Sequence, residues 1–203
     1  MVIALLRRRA VFFLGVAGLI LGAALAAPGS APVQALAEPM PSKLQLESAY
    51  LYNFLLFVHW PQEAQAEGQA AMTICIVGDD ALAEDFAPVA GKTIKDTKYL
   101  LQVRKIRPPL QAADLEGCAL LFVAAQASSL LPEILAQVKG RPILTVSDRA
   151  DFVSKGGMLA LVEQNGKLRW RINQGVASQV GLRFNAQLLR NAETVVAAGP
   201  EGQ

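Results

Sequence analysis

The chain has 203 residues, 19 Lys and Arg against 17 Asp and Glu, a formal net charge of +2, one His and two Cys. That length fits one domain with extensions. A single His and the absence of Cys-x-x-Cys exclude the common zinc patterns, so no metal and no cofactor is expected.

The first segment carries Arg7, Arg8 and Arg9 and then an apolar run from Ala10 to Ala27, the order of a secretory signal. In "ALAEP", Ala35 and Ala37 occupy the small positions that an export peptidase prefers, so residues 1–37 are expected to be a cleaved signal peptide. "ALAAP", from Ala24 to Pro28, is a rival cleavage site, and an uncleaved membrane anchor is the alternative. No Cys lies near the leader, which argues against a lipid-modified N-terminus. Removing residues 1–37 takes away Arg7, Arg8 and Arg9 and no acidic residue, leaving a nearly neutral chain. The basic balance belongs to the leader, so no nucleic-acid partner is implied.

A domain is expected over residues 43–198. Ser42 caps a helix running from Lys43 to about Trp60, where Pro61 ends it. At 100° per residue, Tyr50, Phe54, Phe57 and Trp60 share one side, Leu51, Leu55 and Val58 extend it, and Tyr52 with His59 form a semi-polar stripe. A helix apolar over most of its circumference is buried. Asn53, inside that arc, is expected to bond a neighbouring backbone. Met72 to Val77 reads as a strand buried on both faces, followed by "GDD" and a short helix from Ala81 to about Ala87. Tyr99 to Ile106 alternates as a strand, Pro108-Pro109 breaks the chain, and Ala119 to Val123 forms another buried strand. Ser128 or Ser129 caps a helix through Val138, stopped by Gly140. "PILTVSD" is a third buried strand. In "GGMLALVEQNGKLRWRIN" two alternating runs flank Asn165-Gly166, a strong hairpin signal. A last helix is expected from Asn185 to about Val196. Alternating strands and helices imply parallel crossover units. The fold class is therefore α/β: a three-layer sandwich with a mixed, mainly parallel sheet and a C-terminal antiparallel hairpin at its edge.

Tests for catalytic chemistry are mostly negative. Gly91-Lys92-Thr93 resembles the end of a phosphate loop, but Phe86 stands where the pattern needs glycine. There is no G-x-S-x-G, and a Ser-His-Asp site would have to use His59, which reads as structural. Asp79, Asp80 and Asp148 fall after strands, at the carboxyl edge where open α/β sheets bind ligands. They are candidate acid–base or ligand-binding residues, and helix capping is their structural alternative. Cys75 and Cys118 lie in or beside apolar runs that read as buried strands, and export to an oxidising compartment favours a disulfide between them, with two buried free thiols as the alternative.

Taken together, "AYLYNFLLFVHWP", "ICIVGDD", "GKTIKD", "CALLFV", "ILTVSDRADFVSKGGMLALV" and "LRWRINQGVASQVGLRFNAQLLRNA" make the chain resemble the YfiR family of periplasmic proteins over about residues 46–196. The resemblance implies a non-enzymatic repressor that binds the periplasmic domain of an inner-membrane diguanylate cyclase and so controls cyclic di-GMP and biofilm formation. It also implies an OmpA-like outer-membrane lipoprotein that sequesters the repressor; a homodimer is left open. Family cysteines correspond to Cys75 and Cys118. A second pair present in some members is replaced here by apolar residues around Val153 and Ala160. Because edge strands recruit partners, Leu159, Arg169 and Arg171 of the hairpin are the expected partner contacts, the alternative being that the arginines solvate an exposed face. Trp60 and Pro61 form a second contact if the helix end is exposed.

Overall fold

The computed structural model describes residues 40–62 and 70–197. The leader expected over residues 1–37 lies outside them. In chain order the elements are α1 (Lys43–Phe57), β1 (Val58–His59), β2 (Ala71–Val77), α2 (Asp80–Asp85), β3 (Leu100–Ile106), β4 (Cys118–Val123), α3 (Leu131–Val138), β5 (Leu144–Ser147), β6 (Leu159–Gln164), β7 (Lys167–Asn173), α4 (Gln174–Ser178), β8 (Arg183–Phe184), α5 (Ala186–Arg190) and β9 (Thr194–Val196). Seven strands form one sheet in the order β3-β2-β4-β5-β6-β7-β9, and β1 pairs with β8 in a separate two-stranded ladder.

The sheet is parallel from β3 through β6. There β7 returns antiparallel through the hairpin, and β9 adds parallel to β7. In β2, β4 and β5 nearly every residue is buried, as expected of strands covered on both faces. One face packs under α1, α2, α4 and α5 through Leu51, Phe54, Phe86, Ala177 and Leu188. The other packs under α3 and short 3₁₀ turns through Leu131, Ile134, Val138 and Phe152. The result is the mixed three-layer α/β sandwich that the sequence pattern implied.

Ser42 begins α1 as expected. Its hydroxyl accepts the Gln45 N–H, and the Gln45 side chain accepts the Ser42 N–H, a reciprocal capping box. The helix ends three residues earlier than expected. Val58 is extended, and β1 pairs Val58 with Phe184 and His59 with Arg183. A residue before proline is pushed towards extended backbone, and Trp60 precedes Pro61. The Asn185 N–H adds a bond to the Phe57 carbonyl at 2.9 Å. A ladder to a distant segment thus captures what helical periodicity alone would continue. Asn53 is half-buried, and among the described residues its side-chain amide bonds no backbone group, against expectation.

The hairpin turn is as read: Asn165 (φ 51°) and Gly166 (φ 69°) both take positive φ, the requirement of a two-residue type I′ turn. Two features beyond it differ. The expected last helix is only α5, and residues after it extend into β9. Consequently the second half of β7 is not the sheet edge, Arg171 pairing with Thr194, Ile172 with Val195 and Asn173 with Val196, while Lys167 to Arg169 lie beyond the reach of β9.

Candidate functional site

The order of the parallel strands reverses between β2 and β4, which places a topological switch point at their carboxyl ends. Ligands of open α/β sheets bind in such crevices. Here the crevice is filled by the protein itself. Gly78 follows β2 with φ 84°, and a Cβ on it would stand 2.7 Å from the Ala127 Cβ. The Gln126 side-chain amide donates to the Gly78 carbonyl.

The three acidic residues expected here have separate duties. Asp79 caps α2, its Oδ1 accepting the Leu82 N–H at 2.9 Å. Asp148 Oδ1 accepts the Ala125 N–H at 2.6 Å, fixing the chain after β4. Asp80 is exposed and turned towards β3, where Lys105 and Arg107 stand 3.9 and 4.0 Å away. Asp79 and Asp148 are therefore brought together, whereas Asp80 is not part of the same group.

A residue that sequence reading missed joins them. Glu47 on α1 is 5% exposed, and Lys43, one turn back, lies 3.3 Å from its Oε1. Burial pushes the Glu47 carboxyl above its usual range; Lys43 opposes the shift, and the charges of Asp148 and Asp79 reinforce it. Beside it, Ser48 donates to Asp85 of α2, tying the two helices. The signal for Glu47 was weak because its surroundings are set by β2 and β5, not by its helix. A raised carboxyl pKa means the unfolded chain ionises first, so stability from this group is full below the unfolded value and falls as pH rises towards the folded one. Glu47→Gln should therefore raise the melting temperature at pH 7 relative to wild type, with the gain shrinking towards pH 4. Calorimetry at the two pH values checks this; an equal effect at both would refute it.

On the hairpin, Leu159 is wholly buried, paired with Val146 and Ile172. This corrects the expectation of a partner contact: β6 is interior to the sheet, so the side chain points into the core. Arg169 is exposed on β7. Arg171, on the same face, forms a fork with Glu193 (Nε–Oε2 2.7 Å) and donates to the Ala150 carbonyl at 3.3 Å. That pair raises the Arg171 pKa and lowers that of Glu193. Trp170 takes the opposite face, 5.3 Å from Tyr50 and 6.2 Å from Phe54 between ring centroids, and its Nε1 donates to the Leu188 carbonyl. Trp60 is likewise buried, its Nε1 donating to the Ala119 carbonyl at 3.3 Å. The second contact expected from Trp60 is thus withdrawn, because the chain after α1 turns inward. A cavity of about 430 Å³ lies beside this turn, lined by Leu56, Phe57, Trp60, Lys95 and Tyr99.

Cys75 and Cys118 form a disulfide between β2 and β4, with a Cα–Cα distance of 5.9 Å. Val153 and Ala160 are buried in the core of the α3 side. Among the described residues no group of acidic, His or Cys side chains is arranged to hold a metal ion, and no helix is long and apolar enough to cross a membrane.

Comparison with curated proteins finds no match. Among solved structures, one similar chain is an ABC domain in complex with L-Trp from Streptococcus pneumonia, at 13% identity and a TM-score of 0.46. The alignment covers 66% of this chain and 58% of that one, and no argument is drawn from it. The DUF4154 family model, described as YfiR/HmsC-like, matches residues 44–193, which takes in every strand and helix from α1 to α5. The chain belongs to the YfiR/HmsC-like family.

Proposed function

We propose that this protein is a periplasmic regulator that represses an inner-membrane diguanylate cyclase by direct contact with its periplasmic domain. Its release would raise cyclic di-GMP and promote biofilm. The family match over residues 44–193 carries this reading. In support, Asp79 caps α2 and Asp148 braces the chain after β4, so both carboxylates are engaged in holding the fold. The disulfide suits an oxidising compartment, and the leader pattern of residues 1–37 suits export. An OmpA-like outer-membrane lipoprotein is the proposed second partner.

The contact surface we propose is the face of β7 that presents Arg169 and Arg171. Arg169 is exposed and, among the described residues, makes no ion pair or hydrogen bond, although its charge acts on Glu193. Arg171 is held in place by Glu193 and contributes through a fixed guanidinium. Arg169→Glu should reduce capture of the cyclase periplasmic domain at least tenfold while leaving the melting temperature within about 2 °C, since changes at exposed positions stay within about 0.5 kcal/mol. A pull-down with purified domains tests it. Undiminished capture by the variant would displace the surface; failure of wild-type protein to bind any diguanylate cyclase periplasmic domain of its own cell, with unchanged cyclic di-GMP on deletion, would displace the function.

A further inference from the structure

The strands β5 and β6 are only partly zipped. Their register holds Val146 to Leu159 and Ser147 to Ala160, leaving Leu144 and Thr145 of β5 without β6 partners. Below that point the link passes through a side chain, the Met158 N–H donating to the Thr145 hydroxyl at 3.0 Å. The strands splay there, and a cavity of about 220 Å³ opens at the sheet's amino-terminal end. Its walls come from both helical layers: Leu135 and Val138 of α3 on one side, Val176 of α4 on the other, with Met158 between.

The charged lining is of one sign. Lys139 and Lys155 border the cavity and no carboxylate does. Both lysines are exposed, and neither belongs to the ion pairs of the described residues. Asp151 feels the charge of Lys155 from outside the cavity, but the lining itself holds two cations and no carboxylate, and cations beside an apolar hollow suit a ligand with an anionic head and a hydrocarbon tail. Ammonium groups attract the head as point charges, and the tail leaves water among aliphatic side chains. Size narrows the class. The volume lies below the roughly 300–1,000 Å³ of drug-sized sites. At about 30 Å³ for each water-sized group, roughly seven such groups fit.

We propose that this cleft binds a free short-chain alkyl carboxylate of about six carbons, its head between Lys139 and Lys155 and its chain among Leu135, Val138, Met158 and Val176. The proposal stands independently of the cyclase reading. It is tested by titrating purified protein with hexanoate while recording amide proton–nitrogen spectra. Hexanol serves as the uncharged control, and a K139E/K155E variant removes the cations at exposed positions without touching the core. The expected result is saturable shifts at Gly156, Met158 and Gln179, weakened at least tenfold in the variant and absent with hexanol over the same range. Three outcomes would each overturn the proposal: no saturable shift with hexanoate, equal binding of hexanol, or unaltered affinity after charge reversal. If only a peptide from a protein partner ending in an acidic residue shifted these amides, the cleft would be a docking point and the small-ligand proposal would fall.

Discussion

Replacing Cys75 and Cys118 together by alanine should lower the unfolding free energy by about 4 kcal/mol, the chain-entropy value for a closed loop of this size. The bridge spans 43 residues of sequence and joins the two strands at the centre of the parallel sheet. Cys75 is 0% and Cys118 7% exposed, so alanine also removes buried sulfur and leaves a small void. For a domain of this size each kcal/mol moves the melting temperature by roughly 2–4 °C, so a fall of about 8–16 °C is expected in calorimetry. Wild-type protein treated with a reductant strong enough to reach a buried bond should fall by a similar amount. A shift under 3 °C in the double variant would mean that the bridge constrains little, and mass spectrometry finding two free thiols in exported protein would remove it altogether.

Leu159→Asp should prevent folding instead of selectively blocking a partner. The residue is wholly buried at the middle of the sheet, and Val146 and Ile172 flank it on neighbouring strands. Losing a buried leucine costs about 2–5 kcal/mol, and a carboxylate with no partner in that place adds a desolvation penalty of several more. Against a total stability of about 5–15 kcal/mol, the variant should be recovered insoluble or without a cooperative melting transition. Leu159→Ala, which carries only the first cost, should fold with a clearly reduced melting temperature. If Leu159→Asp melted within 5 °C of wild type and still lost partner capture, the side chain would have to be on the surface and the register of β6 would be wrong.

Much of the fold was legible because local signals and tertiary demands agreed. The apolar runs around Cys75 and Cys118 are strands because both sheet faces are covered, and in β2 the β-branched Thr73, Ile74, Ile76 and Val77 favour that state. Asn165-Gly166 sits at a turn whose positive φ values those residues tolerate. Ser42 announced the start of α1. The failures occurred where distant segments decide. Nothing near Val58 shows that it will pair with Phe184, 126 positions later. The segment after α5 carries helical spacing, yet Glu193 is drawn to Arg171 and the backbone that follows joins β7 as β9. That added strand covers the second half of β7, while Leu159 was already lost as a contact because β6 lies between β5 and β7 under helices on both faces. At the carboxyl edge, the capping role of Asp79 was among the readings its sequence context allowed. The convergence of Glu47 upon it was not legible, because a helix wheel ranks residues by their own neighbours and cannot register which loop ends face them.

The ladder between β1 and β8 bears on how the molecule matures. The aromatic face of α1 is covered in part by Trp170 of β7, and the chain leaving α1 is secured by Phe184 and Asn185. Within the domain, a nascent polypeptide therefore presents this aromatic-rich helix early and must wait for its final quarter before the helix is fully covered. Long-range closure of this kind is slow, and exposed apolar surface in the interval invites aggregation. Holdase chaperones meeting the incomplete domain should accordingly engage residues 43–57 ahead of its other helices and strands.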